Sequence, residues 1–559
     1  MQAITRWFQK QSSWLESQQA SILSAAFIIF IANIASAGFG LIKNRVISAY
    51  YVNAQYDGLI DAYWVAFRLP EFVYQLIVLG TLSAAFVPIF AKLYQKNDDE
   101  AYDLARQIML LLLAFFSFAG LIVFLFSHQF IALLTGPEFS PEATILAVNM
   151  TRIMLLAQMF FAISGFFSAM LQSLKRFILP AFSPIFYNIG IIVFIILFSP
   201  QMGLYAAAWG TVVGAFLHMA IQIPLVRKSG FALFKSINWK KSKLVEVFSL
   251  AGPRTVTLGI EQLSIFAITF FATGVGGMSL TLITFAQSLM TLPIRFFGVS
   301  IGQAALPFLA ASQEDLTGFR RMVFRSLRQI TFFAAPAAVM LLVLRVAMIR
   351  LAYGVGEFPW KATLITAEAL GILALSIPAQ AITHLLVRSF YALNNTMVPF
   401  LSSVLYLLVT ITFGWFFVFH LGWEVKGVAM AICLASLIET AAIFSLLIHR
   451  IGTESMWSLI WALTRIGTAA LLMAVTLFVL QRLFDLYVFE TSRVWELIKL
   501  TLVVGTAGTT VYLGFCWLLQ IEELTILKRI FKKLKSQWSK TIRSTPEFAE
   551  SISQPDELF

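Results

Sequence analysis

The chain has 559 residues, of which 59% are hydrophobic and only 12% are charged, and its mean hydropathy is +0.84. A soluble globular protein carries about 25% charged residues, so this composition argues against a soluble domain and for a membrane protein. The net charge of +12 does not indicate nucleic-acid binding, because the basic residues lie between and after apolar stretches, as cytoplasmic loops of membrane proteins do. Cys433 and Cys516 both lie inside apolar stretches, which argues against a disulfide framework or a cysteine metal site.

The N-terminal segment 1–19 is polar and lacks a small-residue cleavage site after a short apolar core. It predicts a cytoplasmic segment and no removable signal peptide. Hydropathy and length then predict an all-α integral membrane protein with about fourteen transmembrane helices. The predicted spans, numbered 1 to 14 in chain order, are 20–42, 59–94, 106–127, 143–173, 180–199, 203–226, 245–273, 278–311, 328–352, 366–392, 398–420, 427–449, 462–482 and 496–519.

Spans 2 and 8 are too long for simple crossings, and each contains two prolines: Pro70 and Pro88 in span 2, Pro293 and Pro307 in span 8. Broken helices are tolerated in a membrane only where protein or a water-filled cavity satisfies the freed backbone groups. The prolines therefore predict bent helices in these two spans, beside a substrate path.

Loop charge predicts the orientation, because Lys and Arg are enriched on the cytoplasmic side. The segment 227–244 after span 6 is the most basic of the loops, with Arg227, Lys228, Lys235, Lys240, Lys241 and Lys243. This distribution places both termini and the 227–244 linker in the cytoplasm.

An internal repeat divides the chain. Six residues recur exactly 219 positions later with the same identity, in loops and helices alike: Pro88 and Pro307, Glu138 and Glu357, Phe139 and Phe358, Ala143 and Ala362, Thr144 and Thr363, Pro180 and Pro399. Six spans precede the repeat and six complete it, so both halves cross with the same orientation. The pattern predicts an N-lobe over 20–226 and a C-lobe over 245–449, related by an axis along the membrane normal, with the site between them.

Two further spans, within 450–519, and a tail over 520–559 follow the C-lobe. In the tail, apolar residues at helical spacing alternate with basic residues over 527–542. This pattern predicts a basic amphipathic helix on an anionic leaflet, and a solvated basic tail is the alternative.

The residues that could carry chemistry do not predict an enzyme. The sequence has no glycine-rich phosphate loop followed by Lys and Ser or Thr, and its histidines are scattered without metal-ligand spacing: His128, His218, His384, His420 and His449. We expect no cofactor, and we expect transport to be coupled to the membrane potential or to an ion gradient.

Ionisable residues inside spans are costly and mark function by default. Cations outnumber anions among them, which favours an anionic headgroup such as a phosphate or pyrophosphate. The alternative for Lys43, Arg68 and Arg388 is that their side chains snorkel to the interface. The candidate substrate-binding residues are Lys43, Asp61, Arg68, Arg152, Arg254 and Arg295, and the candidates for ion coupling are Glu261 and Glu439.

Several segments resemble the MurJ (MviN) lipid II flippases of the multidrug/oligosaccharidyl-lipid/polysaccharide exporter superfamily. They are DAYWVAFRLP at 61–70, AFVPIFA at 85–91, KRFILPAFSP at 175–184, Gly252-Pro253, GVSIG at 298–302 and Phe390-Tyr391. The resemblance covers most of the chain and includes the fourteen-span layout.

The resemblance implies two six-helix lobes in a V around a cationic cavity, with spans 13 and 14 forming a groove for a polyprenyl tail. It implies a bacterial inner-membrane protein that flips an undecaprenyl-pyrophosphate-linked peptidoglycan precursor to the outer leaflet by alternating access. Its partners would then be this substrate and membrane lipids, and no nucleic acid.

The chain departs from the family pattern at several cationic positions. Ala37 replaces one of two span 1 arginines, Tyr74-Gln75 replaces a basic pair, and Gln287-Ser288 replaces an Asp-Arg pair. Arg254 and Arg295 are additions that would restore positive potential. The alternatives to a lipid II flippase are an exporter of another polyprenyl-linked saccharide, a non-transporting membrane scaffold of the same fold, and a drug or cation antiporter.

Overall fold

The computed structural model describes residues 22–76, 86–232, 241–488 and 493–525, without the side chains of 22–30, 241–243 and 245–254. The predicted N-terminal segment 1–19 and amphipathic helix 527–542 lie outside the described residues, as do residues 233–240 of the predicted linker 227–244. Within the described part the chain is α-helical throughout and contains no strand, as the sequence predicts.

Twenty α-helices follow one another in the described residues, with a short 3₁₀ turn at Ala54–Tyr56 and π-helical segments at Ile294–Val299 and Trp415–His420. They are α1 Ile22–Tyr51, α2 Asp61–Tyr74, α3 Val87–Tyr94, α4 Asp98–Leu125, α5 Ser127–Leu134, α6 Pro141–Ser173, α7 Ile178–Met202, α8 Tyr205–Ala220, α9 Ile223–Lys228, α10 Lys241–Thr273, α11 Ser279–Pro293, α12 Ser300–Ala311, α13 Leu316–Val343, α14 Arg345–Tyr353, α15 Trp360–Ala374, α16 Ile377–Ala392, α17 Met397–Gly414, α18 Glu424–Ile451, α19 Met456–Tyr487 and α20 Val494–Leu518.

The predicted membrane spans 3 to 14 are confirmed. In the described part of the chain, eleven helical segments are long and apolar enough to cross a membrane, and the bent pair α15–α16 makes twelve. Helix α1 occupies the place of span 1. Helices α2 and α3 occupy the two ends of span 2, on either side of residues 77–85, which are not described.

Two helices begin well before the predicted membrane spans that they contain. Spans 3 and 9 are predicted to start at 106 and 328, whereas α4 begins at Asp98 and α13 begins at Leu316. Both helices start with polar and charged turns that hydropathy excludes. The side chains of Asn97 and Asp315 accept backbone N–H bonds there, so each helix is capped well before its apolar part begins.

The 219-residue repeat recurs in the helix boundaries. Helices α6 and α15 start 219 residues apart, as do α7 and α17, and α8 and α18. The starts of α2 and α11, of α4 and α13, and of α5 and α14 are 218 residues apart. The repeat therefore extends from six identical residues to most of the helix starts in both halves, while the symmetry axis between the lobes stays a prediction.

One difference between the two halves concerns α6. Helix α6 is continuous over 33 residues, but its counterpart is split into α15 and α16, which meet at 46°. Pro378 lies at the break, where it has no N–H to donate and its ring clashes with the carbonyl four residues earlier. The corresponding residue of α6 is Met159, which permits a continuous helix.

Carbonyl groups freed by prolines find side-chain donors on other helices. Pro336 in α13 cannot donate to the carbonyl of Phe332, and the hydroxyl of Tyr512 in α20 donates to that oxygen at 2.7 Å. Pro70 likewise frees the carbonyl of Ala66, which accepts a longer, 3.4 Å bond from the Thr151 hydroxyl of α6. Both donors are buried, as the rule for broken helices in membranes requires.

Removal of the Tyr512 hydroxyl is expected to destabilise the protein by about 1–3 kcal/mol, since a buried carbonyl would lose its partner. We expect Tyr512→Phe to lower the unfolding temperature of the purified protein, measured by differential scanning fluorimetry. Tyr487→Phe is the matched control, because Tyr487 is 80% exposed. Equal unfolding temperatures for Tyr512→Phe and the wild type would contradict this role.

The chain forms two compact units. The first comprises Met1–Leu289, Ala352–Ala369 and Phe400–Ala435, and the second comprises Met290–Leu351, Leu370–Pro399 and Ser436–Phe559. The first unit has an aromatic core in which Phe86 packs against Phe90 and Phe166. The core of the second unit joins α13, α19 and α20.

Candidate functional site

Asp61, at the start of α2, caps the beginning of α11. Its carboxylate is 1% exposed and accepts the backbone N–H groups of Leu280 and Thr281, each at 2.8 Å, and the Thr281 hydroxyl at 2.6 Å. The N-terminus of a helix stabilises a negative charge, and hydrogen bonds to a carboxylate are stronger than neutral ones. Asp61 therefore ties together two helices that occupy equivalent places in the repeat.

More contacts between the two halves of the chain lie in the same unit. The Ser48 hydroxyl donates to the carbonyl of Tyr353 at 2.7 Å, and the Asn44 amide donates to the Ser288 hydroxyl at 3.1 Å. The ring of Tyr353 stacks on Phe285, 4.3 Å between centroids. All these contacts lie at the helix ends that loop charge assigns to the outer side, and we call them, with the Asp61 cap, the outer contact.

Lys43 and Arg68 lie on the two helices that bring Asn44, Ser48 and Asp61 to the outer contact. The half-buried Lys43 ammonium is 6.0 Å from the ring centroid of Trp64, within range of a cation–π interaction. Arg68 is also half-buried, its Nε is buried without a hydrogen-bond partner, and the charge of Glu71 acts on its guanidinium. Both side chains are thus partly enclosed by protein.

The side chain of Arg152 in α6 contacts the junction between α4 and α5. Its Nε donates to the carbonyl of Phe124 and to the hydroxyl of Ser127, both at 3.2 Å, and its guanidinium lies over the Phe124 ring. These residues flank the junction of α4 and α5, so the side chain stabilises that junction.

Arg295 lies in the second unit, at the middle of a long helical span. The segment Ser279–Ala311 has 33 residues, and Arg295 is the seventeenth. It sits in the π-helical segment Ile294–Val299, directly after Pro293, and its side chain is exposed. An arginine at this depth costs about 2.5–3.5 kcal/mol on insertion scales, and π-helical turns are frequent at functional sites. Both observations favour a functional role.

Two glycines pack α16 closely against this span. A Cβ atom at residue 298 would lie 2.5 Å from the Cα of Ala381, and one at residue 302 would lie 2.8 Å from Nη1 of Arg388. The two glycines are four residues apart and share one helix face. The GVSIG motif thus allows the close approach that brings Arg388 to this span.

The close packing brings together a cluster of two arginines and one histidine: Arg295, Arg388 and His384. Nη1 of Arg388 donates to the carbonyl of His384 at 3.0 Å, and both arginines lie within electrostatic range of the His384 ring. The imidazole is half-buried. Guanidinium groups bind phosphate with charge-assisted, often two-pronged hydrogen bonds, so this cluster suits an anionic headgroup.

A side chain at residue 298 is expected to disrupt the cluster. Gly298→Ala would force backbone atoms of α16 outward, and such overpacking costs about 1–3 kcal/mol. We expect a lower unfolding temperature in differential scanning fluorimetry. Gly467→Ala in α19 is the matched control, because a Cβ there meets nothing within 4 Å and alanine is the better helix former. If Gly298→Ala unfolds at the same temperature as Gly467→Ala, the close packing at residue 298 is contradicted.

The remaining predicted residues are placed on helices without defining a site. Arg254 lies in α10, and its side chain is outside the described residues. Glu261, two turns further along α10, is exposed, and Glu439 in α18 is half-buried. The structure therefore brings Arg295 together with Arg388 and His384, and Lys43 with Trp64.

Sequence reasoning did not assign His384 a role and allowed Arg388 to be a snorkelling side chain. The signal that could have found both is the Gly298–Gly302 spacing, because two glycines four residues apart predict a close helix contact.

The sequence profile described as lipid II flippase MurJ matches residues 48–497 of the chain. The chain is 24% identical over 521 residues to a probable lipid II flippase MurJ from Buchnera aphidicola subsp. Acyrthosiphon pisum, covering 92% of this chain and 99% of the relative. It is 27% identical over 413 residues to the lipid II flippase MurJ of Burkholderia cenocepacia, covering 71% and 79%.

Solved structures share the fold. A lipid II flippase MurJ in an inward closed conformation superposes with a TM-score of 0.72 at 23% identity, covering 88% of this chain and 98% of the other. An inward-facing multidrug resistance MATE family transporter of the MOP superfamily gives a TM-score of 0.63 at 14% identity, covering 76% and 98%. These similarities agree with the superfamily resemblance seen in the sequence.

Proposed function

The chain belongs to the lipid II flippase MurJ family, and we propose that it moves lipid II from the cytoplasmic to the outer leaflet of the bacterial inner membrane. The observation that carries the proposal is the cluster of Arg295, Arg388 and His384 at the middle of a membrane span. A charge at that depth is expensive unless it has a partner, and the diphosphate of a polyprenyl-linked headgroup would supply one.

The cluster offers the headgroup two guanidinium groups. Each charge-assisted hydrogen bond to a phosphate oxygen contributes about 1.5–3 kcal/mol. These bonds offset part of the hydration free energy that the diphosphate loses when it leaves water. Lys43 and Arg254 are proposed as further cationic contacts on the route. Asp61 and Arg152 are proposed to support that route through the helices that they join, and Arg68 is proposed as a further contact. Convergence of these groups on one cleft stays a prediction.

The outer contact is proposed as the closed outer gate of an alternating-access cycle. Asp61 has three hydrogen bonds to α11, and these bonds would have to open before a headgroup could leave on the outer side. Both termini are proposed to be cytoplasmic, and the basic segment 527–542 is proposed to lie on the anionic inner leaflet. We propose coupling to the membrane potential or to an ion gradient, with Glu261 and Glu439 as candidate coupling residues.

A second candidate is export of another polyprenyl-linked saccharide. The observation that favours it is the loss of cationic positions usual in the family: Ala37, Tyr74-Gln75 and Gln287-Ser288 stand in their places.

Complementation separates the two candidates. A strain depleted of its own lipid II flippase should regain growth when it expresses this chain, as it does when its own flippase gene is restored. A chain that inserts in normal amounts but does not restore growth would favour export of another saccharide.

A further inference from the structure

A cavity of about 210 Å³ lies in the second unit, where α13 ends, α14 begins and α19 ends. Its polar lining includes Arg345, Gln481, Arg482 and Asp485, and Phe478 is among its apolar lining residues. The two guanidinium groups and the one carboxylate leave a net charge of +1. The volume is smaller than the roughly 300–1,000 Å³ of sites for drug-sized ligands, so the cavity suits a small anionic group.

Both arginines retain unused donors. In the described residues, Arg345 makes a single hydrogen bond, from Nη1 to the carbonyl of Leu342 at 2.9 Å. A Cβ atom at residue 371 would lie only 2.9 Å from Cδ of Arg345. Gly371 therefore leaves the space that the Arg345 side chain fills. Arg482 is exposed and has no ion pair in the described part of the chain.

The start of α14 is a third feature that favours anion binding at the cavity. The carbonyl of Leu344 accepts the N–H of Met348 at 2.9 Å, which identifies Leu344 as the residue before the first turn of this nine-residue helix. First-turn N–H groups lack partners within the helix and attract anions. Arg345 and Val346 belong to that turn and line the cavity, so the start of the helix and the Arg345 side chain border the same space.

An apolar stripe leads away from the cavity along α19. Leu471, Val475 and Phe478 are 64%, 54% and 63% exposed, and with Arg482 they follow the four-three-four spacing of one helix face. On the orientation predicted from loop charge, α13 and α19 end at the outer side. The cavity then lies at the level of outer-leaflet headgroups, and the stripe faces the acyl chains below it.

We propose that this cavity binds the phosphate headgroup of an anionic phospholipid of the outer leaflet, such as phosphatidylglycerol. The phosphate lies between Arg345 and Arg482, and one acyl chain lies along the stripe on α19. The site is separate from the proposed flipping of lipid II, and it would anchor α19 to α13 and α14 through a lipid.

Lipid binding to the purified full-length protein tests this site. Native mass spectrometry and thermal unfolding are measured with phosphatidylglycerol and with phosphatidylcholine of the same acyl chains. We expect phosphatidylglycerol to be retained and to stabilise the wild type, and Arg345→Gln/Arg482→Gln to bind it at least tenfold more weakly. Arg465→Gln is the matched control, since Arg465 is an exposed arginine near the other end of α19, over Trp461.

Equal retention of phosphatidylglycerol by the double variant and by Arg465→Gln would overturn the proposal. Equal stabilisation by phosphatidylcholine, or by inorganic phosphate without lipid, would also overturn it. Preferential binding of undecaprenyl phosphate would assign the cavity to a substrate-like lipid instead. If the double variant does not fold, the single variant Arg482→Gln is measured in its place. The Arg482 side chain is exposed, so its replacement should not prevent folding. Every measurement here reports lipid binding and not transport. A negative result can therefore be distinguished from a failure to flip lipid II.

Discussion

Arg295→Glu is expected to abolish lipid II flipping while leaving the protein inserted and folded. The substitution removes charge-assisted bonds of about 1.5–3 kcal/mol each and places a carboxylate opposite the diphosphate. A loss of several kcal/mol corresponds to more than about a 100-fold fall in headgroup occupancy. Folding should suffer less, because the Arg295 side chain is exposed and the new carboxylate also lies near Arg388 and His384.

A graded series of variants separates charge from geometry at this position. Arg295→Lys keeps the charge but loses the two-pronged geometry, so we expect partial flipping, and Arg295→Gln should be intermediate between Lys and Glu. Membrane abundance and unfolding temperature are measured beside flipping for each variant. Wild-type flipping by Arg295→Glu would show that the cluster does not hold the headgroup. Arg254→Glu is tested in the same way, and the side chain of Arg254 lies outside the described residues.

Asp61→Ala is expected to open the outer contact and to reduce flipping strongly. It leaves the buried N–H groups of Leu280 and Thr281 without acceptors, at about 1–3 kcal/mol each. The readout is labelling of Ser288→Cys with a membrane-impermeant maleimide in intact cells, in a background lacking Cys433 and Cys516. We expect labelling to rise in Asp61→Ala, because Ser288 is half-buried in the outer contact.

Asn97→Ala is the matched control for Asp61→Ala. Asn97 also caps a helix, accepting the N–H of Glu100 at 3.2 Å, but it does not join the two halves of the chain. Its loss should cost about 1 kcal/mol without changing the labelling of Ser288→Cys. Unchanged labelling in Asp61→Ala would contradict the gate role of this carboxylate.

The sequence was sufficient for the helices and their repetition, because both depend on local properties. Apolar length predicts a membrane crossing wherever the chain folds, and the offset between Pro180 and Pro399 is the offset between α7 and α17. Helix ends in polar regions were missed, since α13 begins with an amphipathic turn capped by Asp315. The bend at Pro378 was readable in principle from the proline alone.

The partners of buried groups were not predictable, because they depend on packing between distant segments. Tyr512 supports a carbonyl 180 residues earlier in the sequence, and nothing local to either residue indicates this bond. Asp61 was identified as an ionisable residue inside a span. Its partner Leu280 lies 219 residues further on, at the equivalent place in the second half, and a repeat alone does not predict that equivalent positions are in contact.

The most direct test of lipid II flipping is the accessibility of lipid II in the outer leaflet of cells whose only lipid II flippase is this chain. The measurement uses a lipid II-cleaving enzyme added outside the cells and quantifies the cleaved product. We expect cleavage at the level of cells with their native flippase, and loss of cleavage with Arg295→Glu. Absence of cleavage with the wild-type chain present in the membrane would contradict a lipid II flippase.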